Sequence, residues 1–236
     1  MNQDKFYSNF ESNAFFERWK KNKKNNSKKL RNNKKSIYEQ LNKFVKLDRL
    51  RVLEIGCFIG DLLGYIKNKH KCNVLGIEPS SKACKYGKEN FGVKIKNSTF
   101  FESSYFYLNK INRKKYDLII FDDVLSWVER DLILQTLSSA DWLLKDNGFI
   151  YLRDFTPNNY FAVKNHHWPK KDIYNFKQMY GHKDLLLKTG KYLEIYNNTY
   201  QSKNLQTVKS NNIQSMIWSD TILKKCKKFT HPVIKL

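Results

Sequence analysis

The residues best placed to bind a nucleotide-type ligand fall in one stretch of the first third of the chain. Glu54 lies in an apolar, strand-like run that leads into a turn with Gly56 and Gly60. Glycine permits a tight turn and a close approach of the backbone to a ligand. A second apolar run, about twenty residues further on, ends in Glu78, where nucleoside-binding α/β folds place a carboxylate that accepts hydrogen bonds from ribose hydroxyls. The spacing therefore predicts a strand–turn–helix–strand unit that binds a nucleoside.

The turn differs from a dinucleotide-binding fingerprint in two respects. That fingerprint reads G-x-G-x-x-G, and here Phe58 stands where its middle glycine would be. The carboxylate of Glu54, just before the turn, would also repel a pyrophosphate. It suits a ligand that carries an ammonium and a sulfonium group instead. The sequence therefore argues against a dinucleotide-dependent dehydrogenase and favours a cationic nucleoside cofactor.

The pattern Glu54-x-Gly56-x-x-x-Gly60 resembles motif I of the class I S-adenosylmethionine-dependent methyltransferases, and the resemblance extends over residues 48–154. It implies an α/β, Rossmann-like fold with a seven-stranded, mostly parallel sheet, helices on both faces and an antiparallel final strand. It also implies S-adenosyl-L-methionine as cofactor and S-adenosyl-L-homocysteine as product. The further residues that it assigns to cofactor binding are Cys57, Phe58, Glu78, Pro79, Ser98, Thr99, Asp122 and Asp123.

Hydrophobic patterning predicts further elements. Residues 93–95 alternate as a short third strand, and residues 132–144 form an amphipathic helix that Asn147-Gly148 should end. Residues 192–196 and 216–223 are predicted to be the two closing strands, which this family pairs in antiparallel fashion.

Two adjacent carboxylates follow the fourth apolar run. Residues 118–121 are predicted to be a buried parallel strand, and Asp122 and Asp123 stand at its carboxyl end, where open α/β sheets bind ligands. Asp123 begins a segment that usually ends in a Glu-His pair in the family, which Ser126 and Trp127 replace here. Asp122 is the candidate for lining the cleft near the methionine moiety, whereas Asp123 either lines the cleft or caps the next helix.

Residues 155–190 are predicted to form a substrate-recognition insertion after the fifth strand. They contain the adjacent His166 and His167, and histidine is a natural general base near neutral pH for the methylation of a hydroxyl. The alternative is that one histidine packs or caps while the other faces solvent. We expect a substrate-site role for at least one of them, His167 before His166. No third His or Cys lies at ligand spacing, so no metal site is predicted.

The insertion also resembles a subgroup of class I methyltransferases from surface-polysaccharide gene clusters, which carry Asp-Phe-x-Pro, His-His and Tyr-Lys-x-x-Tyr elements. The resemblance implies substrate contacts from Asp154, Lys177 and Tyr180, with Lys177 and Tyr180 gripping an anionic group. It implies O-methylation of a small sugar or phosphoryl-containing acceptor in capsule or surface-polysaccharide biosynthesis. In overall appearance the chain resembles methyltransferases for the O-methyl phosphoramidate decoration of bacterial capsules.

The 236-residue chain carries a net charge of +22, and residues 18–35 hold ten Lys or Arg and no acid. Such a block is usually a solvated arm; attraction of an anionic substrate and nucleic-acid binding are the other readings, whereas composition drift is an alternative explanation of the overall charge. No aromatic residue follows Trp19 within it, so stacking on bases is poorly provided for. We therefore expect a small-molecule acceptor and disfavour nucleic acid. Two alternatives stay open: an RNA methyltransferase that uses the 18–35 arm, and a cofactor-binding partner subunit without catalytic activity.

Composition and length predict the organisation of the chain. Residues 1–47 are expected to form a helical lid and basic arm, and residues 48–236 the methyltransferase domain. No apolar run approaches the roughly 18–20 residues of a membrane span, and the N-terminus has no apolar signal core. The four cysteines show no Cys-x-x-Cys spacing, which favours reduced thiols. These features predict a cytoplasmic location.

Overall fold

The computed structural model describes residues 3–103, 115–201, 217–228 and 230. The side chains of residues 23–33, most of the predicted basic arm, lie outside this description, as does Met216 of the predicted last strand. Within the described ranges, no helix combines the length and the apolar character that crossing a membrane requires.

Helices and strands alternate after an all-helical N-terminal segment. That segment contains α1 (Gln3–Phe6), a π-helical turn (Tyr7–Glu11), α2 (Ser12–Lys21) and α3 (Lys23–Phe44). The next elements are β1 (Arg51–Ile55), α4 (Asp61–His70), β2 (Asn73–Glu78), α5 (Ser81–Phe91), β3 (Ile95–Asn97) and β4 (Tyr116–Asp122). A 3₁₀ turn (Leu125–Trp127), α6 (Arg130–Leu143) and β5 (Leu144–Phe155) lead to a hairpin of β6 (Phe161–Lys164) and β7 (Tyr174–Lys177). The last described elements are α7 (Lys183–Leu187), β8 (Tyr192–Gln201) and β9 (Ile217–Lys225).

Seven strands form one sheet in the order β3-β2-β1-β4-β5-β9-β8. The pairs from β3 to β5 are parallel, and β9 is antiparallel to both of its neighbours, β5 and β8. The strand order reverses between β1 and β4, and open α/β sheets bind ligands outside the carboxyl ends of the strands at this switch point. The predicted fold class is confirmed: the chain has a Rossmann-like α/β fold with a mostly parallel sheet and an antiparallel final strand.

Apolar layers cover both faces of the sheet. On one face, Ile37 of α3 and Ile66 of α4 belong to the same buried cluster as Ile120 of β4. On the other face, Ala140 of α6 belongs to a cluster with Ile119. Successive strand residues point to opposite faces, so Ile119 and Ile120 serve different layers. Full burial of an aliphatic side chain such as Ile120 stabilises the fold by about 1.5–3 kcal/mol, and these two layers fix α3 and α6 against the sheet.

The third strand begins later than the pattern indicates. β3 starts at Ile95, whereas Val93 is 2% exposed and turns into the core. A Cβ atom on Gly60 would lie 2.7 Å from Val93 Cγ2, so Val93 packs closely against the glycine turn. The predicted third strand is therefore present with a later start: the carbonyl of Lys94 accepts the Gly76 N–H of β2 at 2.9 Å, and Ile95 pairs with Gly76.

The predicted end of the sixth helix is also wrong. α6 ends at Leu143, and Leu144 already pairs with Tyr116 in the sheet. Leu144 is fully buried, and this burial favours the start of the strand at Leu144 over continuation of the helix toward Gly148. Asn147 takes the left-handed conformation, with φ of 61°, inside the irregular beginning of β5.

Candidate functional site

The glycine turn lies at the carboxyl end of β1. Gly56 and Gly60 have φ values of 67° and 68°, and Phe58 between them has φ of 51°. Phe58 therefore adopts, at a cost of roughly 1–2 kcal/mol, the left-handed conformation that glycine adopts freely. A Cβ atom on Gly56 would clash with the side chain of Val124. The turn thus keeps the shape of a glycine-rich loop although one glycine is missing.

An aromatic cluster from α2 covers this turn. The rings of Phe15, Phe16 and Trp19 lie 5.2, 6.1 and 5.3 Å from the ring of Phe58. Trp19 also contacts Tyr86 of α5 at 5.5 Å. Aromatic pairs of this geometry each contribute about 0.5–1.5 kcal/mol beyond their burial. The contacts offset the strain at Phe58.

Glu78 lies at the carboxyl end of β2 and is 7% exposed. Its carboxylate accepts the backbone N–H of Phe58 at 3.0 Å and that of Ser80 at 2.8 Å. Burial raises the pKa of Glu78 to about 7, against the lowering effect of these two donors. A carboxylate has about four acceptor positions, so two remain for the ribose hydroxyls that the sequence assigns to it.

Pro79, Ser98 and Thr99, which are also predicted to bind the cofactor, lie around the ends of β2 and β3. The carbonyl of Pro79 accepts the side-chain N–H of Asn97 at 2.8 Å, and the hydroxyl of Ser98 donates to the carbonyl of Thr99 at 2.8 Å. Cys57 is fully buried, and burial raises the pKa of its thiol well above the usual value. Cys57 therefore serves packing inside the turn rather than nucleophilic chemistry.

The N-terminal segment reaches across these strand ends. Thr99 donates its hydroxyl hydrogen to Asp4 at 3.0 Å, and Ser80 donates to the side-chain oxygen of Asn13 at 2.9 Å. Gln3 donates to the carbonyl of Trp127 at 2.6 Å. These contacts place residues 3–22 over the carboxyl ends of β2, β3 and β4.

A lysine that the sequence reasoning did not single out joins the two predicted acidic residues. Lys34 Nζ of α3 donates to Glu54 Oε1 at 3.1 Å and to Asp122 Oδ2 at 2.8 Å. Burial alone would lower the pKa of Lys34, but Asp122 and Glu54 outweigh it and raise the pKa. Burial raises the pKa of Glu54 to about 7, whereas Lys34 and Arg153 hold that of Asp122 below its usual value despite burial. No local pattern distinguishes Lys34 within its basic run.

Beyond Asp122, charged side chains of alternating sign continue across the sheet. Arg153 lies 3.5 Å from Asp122 and donates from Nε to Asp220 at 2.7 Å. Asp220 also accepts from Tyr151 at 2.9 Å and from Gln40 of α3 at 3.1 Å. Breaking one pair in a buried row of this kind costs about 3–5 kcal/mol. The row therefore fixes α3 on the sheet at both Lys34 and Gln40.

Two acidic oxygens next to Lys34 have no hydrogen-bond partner within the described part of the chain. They are Oε2 of Glu54, whose side chain is fully buried, and Oδ1 of Asp61 at the start of α4. An unpaired buried acceptor is costly, and carboxylate acceptors beside a glycine turn suit an ammonium donor. These two acceptor oxygens therefore fit the ammonium at the amino-acid end of the cofactor that the sequence predicts.

A second polar group lies where the β6–β7 hairpin covers the ends of β4 and β5. Asp123 has φ of 56°, and burial raises its pKa above the usual value. Burial lowers the pKa of Lys177 below the usual value, although Asp123 and Asp154 oppose the shift. Lys177 Nζ lies 2.7 Å from the centre of the Phe155 ring. Lys177 is thus enclosed by carboxylates and an aromatic ring, which is a different environment from a surface anion-binding site.

Asp154 is bound to a histidine outside the predicted site. His182, fully buried, places Nδ1 2.5 Å from Asp154 Oδ2 and donates its backbone N–H to the same oxygen at 2.8 Å. Arg130 lies 3.2 Å from the other ring nitrogen of His182. Both ring nitrogens are therefore engaged, and the arrangement positions Asp154 rather than leaving His182 free as a base. His182 follows Tyr180-Gly181 in the sequence, where no spacing indicated a pairing with Asp154.

The two predicted catalytic histidines lie in the exposed segment that connects β6 to β7. His166 and His167 are both exposed, and their rings are 3.9 Å apart. Partial burial, Arg18 and His166 lower the pKa of His167, which favours its neutral form. Tyr180 is 52% exposed and has φ of 59°. Catalysis by His166 or His167 and substrate contact by Tyr180 stay predictions.

No group of three or more His, Cys, Asp or Glu side chains among the described residues is arranged to hold a metal ion.

The sequence matches a family profile described as Methyltransferase domain over residues 10–198. Among solved structures, magnesium protoporphyrin IX methyltransferase of Synechocystis PCC 6803, with bound SAM, is similar with a TM-score of 0.65 and 14% identity, over 95% of this chain and 98% of that chain. The 1,6-didemethyltoxoflavin-N1-methyltransferase of Burkholderia thailandensis, with bound 1,6-didemethyltoxoflavin and S-adenosylhomocysteine, gives a TM-score of 0.56 at 12% identity, over 82% and 76% of the two chains. At these identities the likeness concerns the fold.

One curated relative is an uncharacterized protein of Rickettsia prowazekii (strain Madrid E). It is 30% identical over 108 residues, which are 45% of this chain and 43% of that protein. The match therefore spans less than half the length of that relative.

Proposed function

This chain belongs to the methyltransferase-domain family, and we propose that it transfers a methyl group from S-adenosylmethionine to a small-molecule acceptor. The observation that carries the proposal is the convergence at the switch point of the sheet. The glycine turn, the buried carboxylate of Glu78 and Oε2 of Glu54, which has no hydrogen-bond partner among the described residues, all lie at the carboxyl ends of β1 and β2. Fold neighbours crystallised with SAM or S-adenosylhomocysteine support the choice of cofactor.

The cofactor supplies an electrophilic methyl group on a sulfonium sulfur. Glu54 and Asp61 would receive its ammonium through the two buried oxygens that have no partner in the described part of the chain. Glu78 would receive the ribose, and the turn with Phe58 at its centre would lie along the nucleoside. The protein then contributes chiefly by positioning, since fixing two reactants in line can supply about 7–11 kcal/mol of the barrier.

For the acceptor, we propose a small hydroxyl-bearing molecule of the sugar type. Lys177 faces Asp123 and Asp154, and this acidic surrounding suits an uncharged hydroxyl better than a phosphoryl group. Either His167 or Lys177, whose pKa values are both lowered by burial, could take up the hydroxyl proton. The assignment to capsule or surface-polysaccharide biosynthesis, phosphoramidate decoration included, rests on sequence resemblance and stays a prediction.

An acceptor screen tests this proposal. The purified protein is incubated with S-adenosylmethionine and, in separate reactions, nucleotide sugars, sugar phosphates, free sugars and total RNA, and the S-adenosylhomocysteine formed is measured. We expect turnover with a sugar-type acceptor. Turnover with RNA alone would instead support the basic-arm alternative, and cofactor binding without turnover on any acceptor would support a non-catalytic subunit.

Lys34 and Lys35, at the C-terminal end of the basic arm, give the RNA alternative no support. Lys34, its described buried member, is engaged with Glu54 and Asp122 rather than presented to phosphates. Lys35 is exposed but pairs with Glu39 at 3.7 Å. The described end of the arm therefore serves the fold and the cofactor cleft.

A further inference from the structure

We propose that Lys34 recognises the α-carboxylate of the cofactor and thereby couples helix α3 to cofactor binding. This inference rests on the proposed function, because it concerns the same cleft. It assigns a role to a residue of the N-terminal segment that lies outside the glycine turn and the strand ends.

The first argument is the hydrogen-bonding capacity of Lys34. An ammonium group has three N–H donors, and the side chain uses two of them on Glu54 Oε1 and Asp122 Oδ2. Its side chain keeps 10% of its surface exposed, whereas that of Glu54 has none. One donor is therefore left at the edge of the buried row, beside the acidic oxygens that fit the cofactor ammonium.

The second argument is charge balance at the amino-acid end of the cofactor, which carries both an ammonium and a carboxylate. Glu54, Asp61 and Asp122 attract the ammonium but repel the carboxylate. Arg153 is already held by Asp220 at 2.7 Å and by Asp122 at 3.5 Å. Among the described residues around these acids, Lys34 is the cation that can offset the repulsion. The site can therefore select a zwitterion over a simple cation.

The position of Lys34 gives this contact a structural consequence. α3 is fixed on the sheet through Lys34 at one point and through Gln40 and Asp220 at another. A carboxylate bound by Lys34 adds a third attachment. Cofactor binding is therefore expected to stabilise α3 together with α2, whose Phe16 and Trp19 lie on Phe58.

The test is a two-by-two comparison of ligands and variants by calorimetry. The probes are S-adenosylhomocysteine and its decarboxylated analogue S-adenosyl-3-thiopropylamine, which keeps the amine and lacks the carboxylate. Wild type and Lys34→Met are titrated with both. We expect wild type to bind the analogue about 10- to 100-fold more weakly than S-adenosylhomocysteine, as for a lost hydrogen bond to a charged group. In Lys34→Met the two affinities should become similar.

Two further variants control for folding. Lys34→Arg keeps the charge and should retain part of the preference for the carboxylate. Lys35→Met removes an adjacent exposed lysine, whose side chain is 72% exposed, and should leave both affinities unchanged. Thermal unfolding of each variant is measured in parallel, and the wild-type comparison of the two probes stands even where Lys34→Met does not fold.

Three results would overturn the inference. Equal affinities of wild type for the two probes would show that the carboxylate is not recognised. An equal loss of affinity for both probes in Lys34→Met would show that Lys34 has only a structural role. Tighter binding of S-adenosylhomocysteine by Lys34→Met would show that Lys34 competes with the cofactor ammonium for the acidic oxygens. In each of these cases the wild type still binds, so the proposed function survives; no binding of either probe by folded wild type contradicts both.

Discussion

Asp154 and His182 are joined twice at the carboxyl end of β5. Asp154 Oδ2 accepts the backbone N–H of His182 at 2.8 Å and lies 2.5 Å from its ring Nδ1, while Oδ1 accepts the backbone N–H of Phe155 at 2.8 Å. The carboxylate thus connects the beginning of α7 to the end of β5. This pairing gives Asp154 a positioning role in addition to the substrate contact predicted for it.

Asp154→Asn should destabilise the protein because the amide leaves His182 without its carboxylate partner. We expect a loss of about 1–3 kcal/mol in the free energy of unfolding, as for buried N–H donors left without their acceptor, measured by urea denaturation. Asp172→Asn is the matched control: this side chain is 86% exposed and pairs with Lys164 at 3.4 Å, so its loss should stay below about 0.5 kcal/mol. Equal effects of the two variants would contradict the role of Asp154.

Gly56→Ala should damage the glycine turn more than Gly92→Ala damages the end of α5. Both glycines have positive φ, 67° and 59°, but an added Cβ clashes with Val124 at Gly56 and meets nothing within 4 Å at Gly92. Backbone strain costs about 1–2 kcal/mol in both variants, and overpacking adds about 1–3 kcal/mol only at Gly56. Thermal unfolding measures the difference. Similar losses would show that the turn has room to relax away from Val124.

Glu78 should make stability depend on pH. Burial raises its pKa from 4.5 to about 7 in the folded protein, so the folded state holds the proton more tightly than the unfolded chain. The resulting stabilisation is full below pH 4.5 and is lost as pH rises through 7, by up to about 3 kcal/mol. The stability of wild type relative to Glu78→Gln should therefore fall between pH 5 and pH 8 in urea denaturation. Glu39→Gln, at an exposed position, should show no such trend, and a flat difference for Glu78→Gln would contradict the raised pKa.

His167→Ala distinguishes a hydroxyl acceptor from an anionic one. If His167 removes a hydroxyl proton, turnover with the acceptor found in the screen should fall about 10²-fold or more, while S-adenosylhomocysteine affinity stays unchanged. His166→Ala is the neighbouring control and should have the smaller effect. Unchanged turnover in His167→Ala would remove the base assignment and leave Lys177 as the candidate group.

The sequence was informative where the relevant contacts are local in the chain. Two local features predicted the β1–α4–β2 unit and its parallel strands: the glycine turn after the run with Glu54, and Glu78 about twenty residues later. In this type of fold, such a turn joins a strand to a helix that leads into a parallel neighbouring strand. Lys34 could not be predicted in this way. Its partners are 20 and 88 residues distant in the chain, and its position depends on how α3 packs on the finished sheet.

Two further features depended on tertiary structure. His182 pairs with Asp154, 28 residues earlier, and only the course of the β6–β7 hairpin brings them together. Phe58 takes a backbone conformation that glycine normally supplies, because the aromatic rings of α2 hold it there. The missing glycine weakened the sequence pattern without changing the turn.

The cofactor assignment is tested by a calorimetric titration of the wild-type protein with S-adenosylhomocysteine, alongside Glu78→Ala and the control Glu89→Ala at an exposed position of α5. We expect a dissociation constant of about 1–10 μM for wild type and the control, and at least a tenfold loss of affinity in Glu78→Ala. Folded wild-type protein that releases no heat of binding with S-adenosylhomocysteine would contradict the assignment of the cleft to this cofactor.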